Sequence, residues 1–248
     1  MREEFPKRLK LLSYNIQAGV DTRHYREYVT KSWKQVLPHR KRQGNLDRIA
    51  SIVRNYDVVG LQEVDSGSLR TGFVDQTAYL AGRAGFPHWH KQVNRNLGKL
   101  GQHSNGLLSR VKPSRISEYK LPGLPGRGAI LCNFGGDEGL SICIIHLALG
   151  RRARLKQVAF ISELVKGLRY VVIMGDLNCS CVSKELRYLT KSASLREPVC
   201  DKSTFPSWQP ARKIDHILVS ETLLVEDAWV VDYPLSDHLP IGIDISVP

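Results

Sequence analysis

Residues 170–178 of this 248-residue chain are YVVIMGDLN, an apolar run followed at once by Gly175, Asp176 and, two positions later, Asn178. The apolar run is rich in β-branched residues and too short for a helix, so it predicts a buried strand over residues 170–174. Gly175 removes side-chain bulk where the chain leaves the sheet, which would expose the Asp176 carboxylate at the surface of a cleft. A Gly-Asp turn after a strand is common, so the stretch indicates a site only if other strand ends are similar.

Polar residues adjoin other apolar runs in the same way. LLSYN ends at Asn15, VVGLQE ends at Glu63, ICIIH ends at His146, and LSDH places Asp237 and His238 directly before LPIGIDI. One polar residue after a strand is usually a turn residue. Side chains at several rigid strand ends can converge on one cleft, however. The recurrence therefore predicts a polar site of carboxylates, amides and imidazoles.

The remaining pattern places strands and helices in one α/β or α+β core. Strands are predicted at residues 9–16, 57–61, 129–134, 140–147, 170–174, 214–219 and 240–245, and helices at residues 45–55 and 152–168. No repeat, low-complexity tract or linker divides the chain, so a single domain is expected over residues 1–248. Residues 65–77, 87–103 and 190–207 are predicted as loops, and such loops would select the substrate.

The net charge of +12, from 36 Lys and Arg against 24 Asp and Glu, attracts polyanions. Nucleic acid, an anionic membrane face and small phosphorylated molecules all fit, and a merely basic surface is the alternative. Residues 23–42 are basic and aromatic at helical spacing. The aromatic stripe predicts packing on the core, and the basic face either contacts substrate or is solvated.

Cysteine usage and hydropathy indicate a reducing, cytoplasmic location. The five cysteines are odd in number and lack C-x-x-C spacing, which favours neither a disulfide framework nor a zinc site. No apolar run is long enough for a signal peptide or a membrane span. Cys179 and Cys181 could bind soft ions adventitiously beside Asn178, but loop residues are the preferred interpretation.

The order of these motifs and the residues within them resemble the endonuclease/exonuclease/phosphatase superfamily, which has the DNase I-like fold. The resemblance runs from Leu11 to Ile241. Further matches are NGLLSR at residues 105–110, GRGAI at 126–130, and TFPS with KIDHILVS within 204–220. It implies two packed, mostly antiparallel sheets flanked by helices in a four-layer sandwich. It also implies a phosphate-ester hydrolase that uses Mg²⁺, with Mn²⁺ as an alternative.

The resemblance also implies a role for each motif residue. Asn15, Glu63 and Asp237 would serve the metal, and a carboxylate such as Glu63 is the hard ligand that Mg²⁺ prefers. Asp176 would orient or deprotonate the attacking water, Asn178 would steady the phosphate, and His146 would donate to a nonbridging oxygen. His238 would pair with Asp215. Asn105 and Arg127 would bind substrate.

The residues after Glu63 affect the choice of substrate. LQEVD differs from the LQETK of the exonuclease III branch and looks more like the phosphatase, lipid-hydrolase and deadenylase branches. Net charge and the basic clusters at residues 40–42 and 151–154 nevertheless favour a nuclease. The alternatives are a phospholipid or inositol-phosphate phosphoesterase at an anionic membrane surface, and a catalytically silent binding module. No obligate protein partner is indicated.

Overall fold

The structure is a computed structural model that describes residues 6–20, 40–96, 98, 101–123, 125–136, 139–199 and 201–247. The helix predicted within residues 23–42 lies outside the described residues up to residue 39. Its last three residues open the first described α-helix.

Strands and four α-helices alternate along the described residues. The strands are β1 (Arg8–Asn15), β2 (Val58–Asp65), β3 (His88–Asn96), β4 (Gln102–Ser109), β5 (Arg115–Lys120), β6 (Gly128–Phe134), β7 (Leu140–His146), β8 (Tyr170–Asp176), β9 (Leu195–Arg196), β10 (Asp215–Ser220), β11 (Leu224–Val230) and β12 (Ile241–Ser246). The helices are α1 (Arg40–Val53), α2 (Gln76–Ala84), α3 (Arg151–Val165) and α4 (Lys184–Ser192).

These strands form two six-stranded mixed sheets within the described part of the chain. The first sheet has the order β11-β12-β1-β2-β4-β3, and the second has the order β5-β6-β7-β8-β10-β9. The neighbours β1 and β2 are parallel, as are β7 and β8, and the other pairs are antiparallel. The predicted fold of two mostly antiparallel sheets flanked by helices is confirmed.

The two sheets pack face to face around a shared apolar core. Along β1, Leu9 and Leu11 face this core, whereas Leu12 and Tyr14 belong to a second apolar cluster shared with residues of α1 and α2. Helices α3 and α4 cover the outer face of the second sheet in a third cluster. Each fully buried side chain of this kind stabilises the fold by roughly 1.5–3 kcal/mol. The result is a four-layer α/β/β/α sandwich.

The strands missed by the sequence analysis are mostly edge strands. β3, β5, β9 and β11 each lie at an edge of a sheet, where side chains on one face remain in water and the apolar run is interrupted. The prediction of a loop at residues 87–103 was wrong, because these residues contain β3. The sequence of β3, HWHKQVNRN, is largely polar. Helices α2 and α4 were missed because each spans nine residues, which gives only a short periodic signal.

Candidate active site

Strand register places three candidate residues side by side at one end of the second sheet. Asp176 ends β8 and is paired with His146 of the parallel strand β7 and with Asp215 of the antiparallel strand β10. Gly175 makes this close approach possible. A Cβ at that position would lie 1.8 Å from the carbonyl oxygen of Ile145, and the φ of Gly175 is +154°, so a side chain there would displace the neighbouring strand.

Asp176 is the centre of the hydrogen-bonding network. Asn15 of the first sheet donates from Nδ2 to Asp176 Oδ2 at 3.1 Å, and the backbone N–H of Asn178 donates to Asp176 Oδ1 at 2.9 Å. The carboxylate was expected at the cleft surface, but only 2% of Asp176 is exposed. Burial raises the pKa of Asp176 to about 7, and the charges of Asp215 and Glu63 add to the shift. Asp176 is therefore poised to exchange a proton near neutral pH.

Asn178 is oriented by the backbone and not by simple strand alternation. Its φ of +52° is in the left-handed region, which Asn tolerates better than most residues. The side-chain amide donates from Nδ2 to the carbonyl of Leu147 at 3.0 Å. This bond joins the loops that follow β7 and β8.

His238 and Asp215 form a buried ion pair. His238 Nδ1 lies 2.8 Å from Asp215 Oδ2, and Thr204 Oγ1 donates to the same oxygen at 2.6 Å. Burial alone would lower the pKa of His238, but the charge of Asp215 and its hydrogen bond outweigh it and hold the pKa well above the usual value. The phenyl ring of Phe205 packs 5.0 Å from the imidazole, centroid to centroid. His238 is thus an oriented imidazolium, with Nε2 3.9 Å from Asp176 Oδ2.

Glu63 lies in a bulge within β2 and not at the end of that strand. The pairing of β2 with β4 shifts register between Leu61 and Val64, and Glu63 has a φ of +56°. A bulge of this kind re-aims a side chain. The side chain of Glu63 is 33% exposed, and its Oε1 is 3.9 Å from His146 Nε2.

His146 is a neutral member of the site. Its Nε2 lies 3.4 Å from Asp176 Oδ2. Burial, together with the charge of Arg127, lowers the pKa of His146 well below the usual value. One imidazole nitrogen therefore carries a proton that it can donate without a full positive charge.

The donor set fits a divalent cation. Burial raises the pKa of Asp237 to about 7, with Glu63 adding to the shift, and Asp237 Oδ1 is buried without a hydrogen-bond partner among the described residues. Asp176, Asp215 and His238 bring potential ligand atoms within 4.8 Å of one another, although Nδ1 of His238 is already engaged by Asp215. The carboxylate and amide oxygens at hand match the hard ligands that Mg²⁺ prefers.

The two residues assigned to substrate binding have backbone partners. Asn105 is fully buried and donates from Nδ2 to the carbonyl of Gly128 at 3.0 Å, while its Oδ1 has no hydrogen-bond partner in the described structure. Arg127 is half-buried and donates from Nε to the carbonyl of Leu147 at 3.0 Å. Arg127 therefore shares an acceptor with Asn178, and its charge contributes to the shift at His146. Their contact with substrate stays a prediction.

Thr204 and Ser236 position site residues, a role that was not predicted from the sequence. Thr204 bonds to Asp215 as described above. Ser236 Oγ donates to the carbonyl of Asn15 at 2.7 Å and accepts from the backbone N–H of His238 at 3.0 Å. Both belong to quoted motifs, TFPS and LSDH, and this was the signal that the sequence offered. Their bonds to Asp215 and His238 are seen only in the folded chain.

The side chain of His216 lies away from the candidate active site, as strand alternation predicts. Its ring nitrogens contact Glu197 Oε1 and the carbonyl of Cys179, each at 2.7 Å. Burial raises the pKa of the Cys179 thiol to about 11. A thiol that stays protonated is a poor metal ligand, which favours the interpretation of Cys179 as a loop residue.

Comparisons with known proteins agree with this fold. A sequence model of the Endonuclease/Exonuclease/phosphatase family matches residues 12–238. No curated protein sequence matches the chain. A family protein from Bacteroides thetaiotaomicron aligns with a TM-score of 0.75 at 16% identity, covering 99% of this chain and 100% of the other.

Two solved structures of more specific description are also similar. The mannosyl-6-phosphatase of Bacteroides thetaiotaomicron VPI-5482 aligns with a TM-score of 0.71 at 18% identity, covering 96% of this chain and 100% of the other. The human Nocturnin catalytic domain with bound sulfate aligns with a TM-score of 0.68 at 17% identity, covering 97% and 93%. Identities this low show a shared fold. Separately, none of the helices in the described residues is long and apolar enough to cross a membrane.

Proposed function

Because the chain belongs to the endonuclease/exonuclease/phosphatase family, we propose that it is a Mg²⁺-dependent phosphodiesterase that cleaves nucleic acid. The family hydrolyses phosphate esters, and the proposal adds the metal and the substrate. The observation that supports it best is the convergence of His146, Asp176 and the Asp215–His238 pair through strand register. A complete set of this kind also argues against a silent binding module.

Glu63 is the residue proposed to hold the metal, with support from Asn15 and Asp237. Glu63 is the most exposed of the four clustered carboxylates, and the orphaned Oδ1 of Asp237 would gain a partner. A bound Mg²⁺ supplies Lewis-acid stabilisation of charge that develops on phosphate oxygens. Mn²⁺ is the alternative ion because it accepts similar oxygen ligands.

The protein's own groups divide the proton chemistry. Asp176, with its pKa raised to about 7, accepts a proton from the attacking water. His238, held as an imidazolium by Asp215, offers Nε2 to negative charge on the phosphate. His146 is neutral and donates one hydrogen bond to a nonbridging oxygen. Groups whose environments push their pKa values apart in this way are suited to separate acid and base roles.

Nucleic acid is favoured as substrate by charge. The net charge of +12 raises the local concentration of a polyanion and its rate of association. An anionic membrane surface would also be attracted, so a phosphoinositide remains the competing substrate. The cytoplasmic location stays part of the proposal, supported by Cys132, Cys143 and Cys179, which form no disulfide in the described structure.

The test is a substrate panel assayed with Mg²⁺ and with EDTA. It comprises abasic DNA, single- and double-stranded DNA, RNA, sphingomyelin, phosphatidylinositol phosphates and a small chromogenic phosphodiester, with Asp176→Asn as the inactive reference. We expect cleavage of nucleic acid that EDTA abolishes and that the variant lacks. Cleavage confined to lipids would reject the nuclease assignment, and undiminished cleavage in EDTA would reject the metal.

A further inference from the structure

A cavity of about 700 Å³ adjoins the candidate active site. Three segments form its walls: the N-terminal end of α3, residues 178–187 from the loop after β8 into α4, and residues 201–203 and 211–214 before β10. Asn178 is one of the lining residues. The cavity therefore begins beside a residue assigned to the phosphate, on the side of the loops that follow β7 and β8.

The lining of this cavity is strongly basic. It contains seven Lys and Arg side chains and two carboxylates. Two of the cations are neutralised, since Arg154 bonds to Glu185 at 2.9 Å and Lys213 contacts Glu197 at 2.5 Å. The other five cations are exposed, and none of them forms an ion pair with a carboxylate of the described residues. They are Arg151, Lys184, Arg187, Lys202 and Arg212.

The backbone adds to the positive potential. Helix α3 begins at Arg151 after Gly150, which offers no side-chain cap, and α4 begins at Lys184 after Ser183, whose Oγ accepts from the N–H of Leu186. The first residues of both helices line the cavity, and the N–H groups of a helix's first turn, together with the helix dipole, favour anions. The cations and the two helix ends come from segments distant in sequence, so their convergence depends on the fold.

We propose that this cavity binds a second phosphate of the substrate, the neighbouring phosphate of a nucleic-acid strand. The inference rests on the proposed nuclease function and names a residue set for it. Exposed cations on three separate segments, none held in an ion pair with a described carboxylate, suit an extended strand that crosses the cavity. Such cations bind phosphates mainly by charge and by releasing counterions.

The experiment compares two double variants of equal charge. Arg151→Ala/Arg187→Ala removes two lining cations, while Lys156→Ala/Lys191→Ala removes two exposed cations from the same helices that do not line the cavity. Binding of a fluorescent six-nucleotide oligothymidylate is measured in EDTA at several salt concentrations, and thermal unfolding checks folding. A second lining variant, Lys202→Ala/Arg212→Ala, tests the loop wall independently.

We expect each lining variant to weaken binding at least about tenfold and to reduce the salt slope by roughly 0.7, the value for loss of one single-strand phosphate contact. The control variant should keep the wild-type slope. Equal losses in lining and control variants would overturn the inference. So would lining-dependent binding of a soluble inositol polyphosphate without lining-dependent binding of the oligonucleotide.

Cleavage is measured separately, with Mg²⁺ and the same oligonucleotide. If the oligonucleotide binds through the lining cations but is not cleaved, the subsite is retained and the nuclease function is rejected. Cleavage with binding that does not depend on the lining cations would retain the nuclease function and reject the subsite.

Discussion

Asp215 on β10 and Asp176 on β8 are register partners in an antiparallel strand pair, so two buried carboxylates lie side by side in the site. Their environments differ. Asp215 is bonded to His238 and Thr204, whereas Asp176 accepts from Asn15 and from the backbone of Asn178. Because Asp215 is committed to the imidazole, we propose Asp176 as the carboxylate of this pair that accepts a proton.

Asp176→Asn should lower turnover by about 10²–10⁴-fold, because the amide keeps the shape but cannot act as a base. The pKa of Asp176 is raised in the folded protein, so ionisation of this residue destabilises the fold. The destabilisation begins above the unfolded pKa of about 3.9 and is complete above about pH 7. In EDTA the variant should therefore unfold at an equal or higher temperature than wild type at pH 8, with no gain near pH 3. Near-normal turnover would mean that Asp176 is a turn residue.

Substitutions of Asp215 and His238 should reduce the activity of the protein non-additively. If Asp215 orients the imidazole, the double variant Asp215→Asn/His238→Ala should be little worse than the worse single variant, a coupling of about 0.5–3 kcal/mol. Asp215→Asn combined with Asp47→Asn, on a distant surface pair with Arg83, is the additive control. Additive losses in kcat/KM for the first pair would show that the two residues act independently.

Glu63→Gln should abolish stabilisation by Mg²⁺. A cation bound only by the folded protein raises stability by about 2.7 kcal/mol at one hundred times its Kd, so wild-type Tm should rise with Mg²⁺ and fall again with EDTA. Glu163→Gln, at an exposed helix position, controls for loss of one carboxylate. An unchanged Mg²⁺ response in Glu63→Gln would place the metal elsewhere.

Asp65 should be a structural residue that stabilises the loop after β2. It accepts from the backbone of Gly67 and Ser68 and from Arg70 Nε, and the pair with Arg70 is almost fully buried. Asp65→Asn should lower the free energy of unfolding by about 3–5 kcal/mol. Asp47→Asn, in an exposed pair with Arg83, should lower it by only about 0.2–1 kcal/mol. Equal losses in urea denaturation would contradict the burial argument.

The same carboxylate predicts an acid-dependent loss of stability. Burial opposes ionisation of Asp65, but the hydrogen bonds from Ser68 and Arg70 outweigh it and lower the pKa to about 2. A lowered pKa stabilises the fold above the unfolded value of about 3.9, and this contribution is lost as pH falls toward 2. The difference in stability between wild type and Asp65→Asn should therefore shrink as the pH falls from 4 to 2.

The sequence by itself determined the central strands and the residues at or near their ends. Strands such as β7 and β8 are buried on both faces, so burial requires a continuous apolar run that is visible locally. The polar residues that follow were recognisable for the same reason, since Asp176 and His146 interrupt those runs. The resemblance to the family then supplied expected roles.

Only the tertiary structure decided which side chains meet. The pairing of Asp176 with Asp215 depends on strand register, the aim of Glu63 depends on a bulge, and the bond from Asn15 to Asp176 joins residues from different sheets. Edge strands and the basic cavity are likewise absent from any local pattern. The physical reason is that hydrophobic periodicity records which face of an element is buried, whereas long-range register and loop packing set what each polar group contacts.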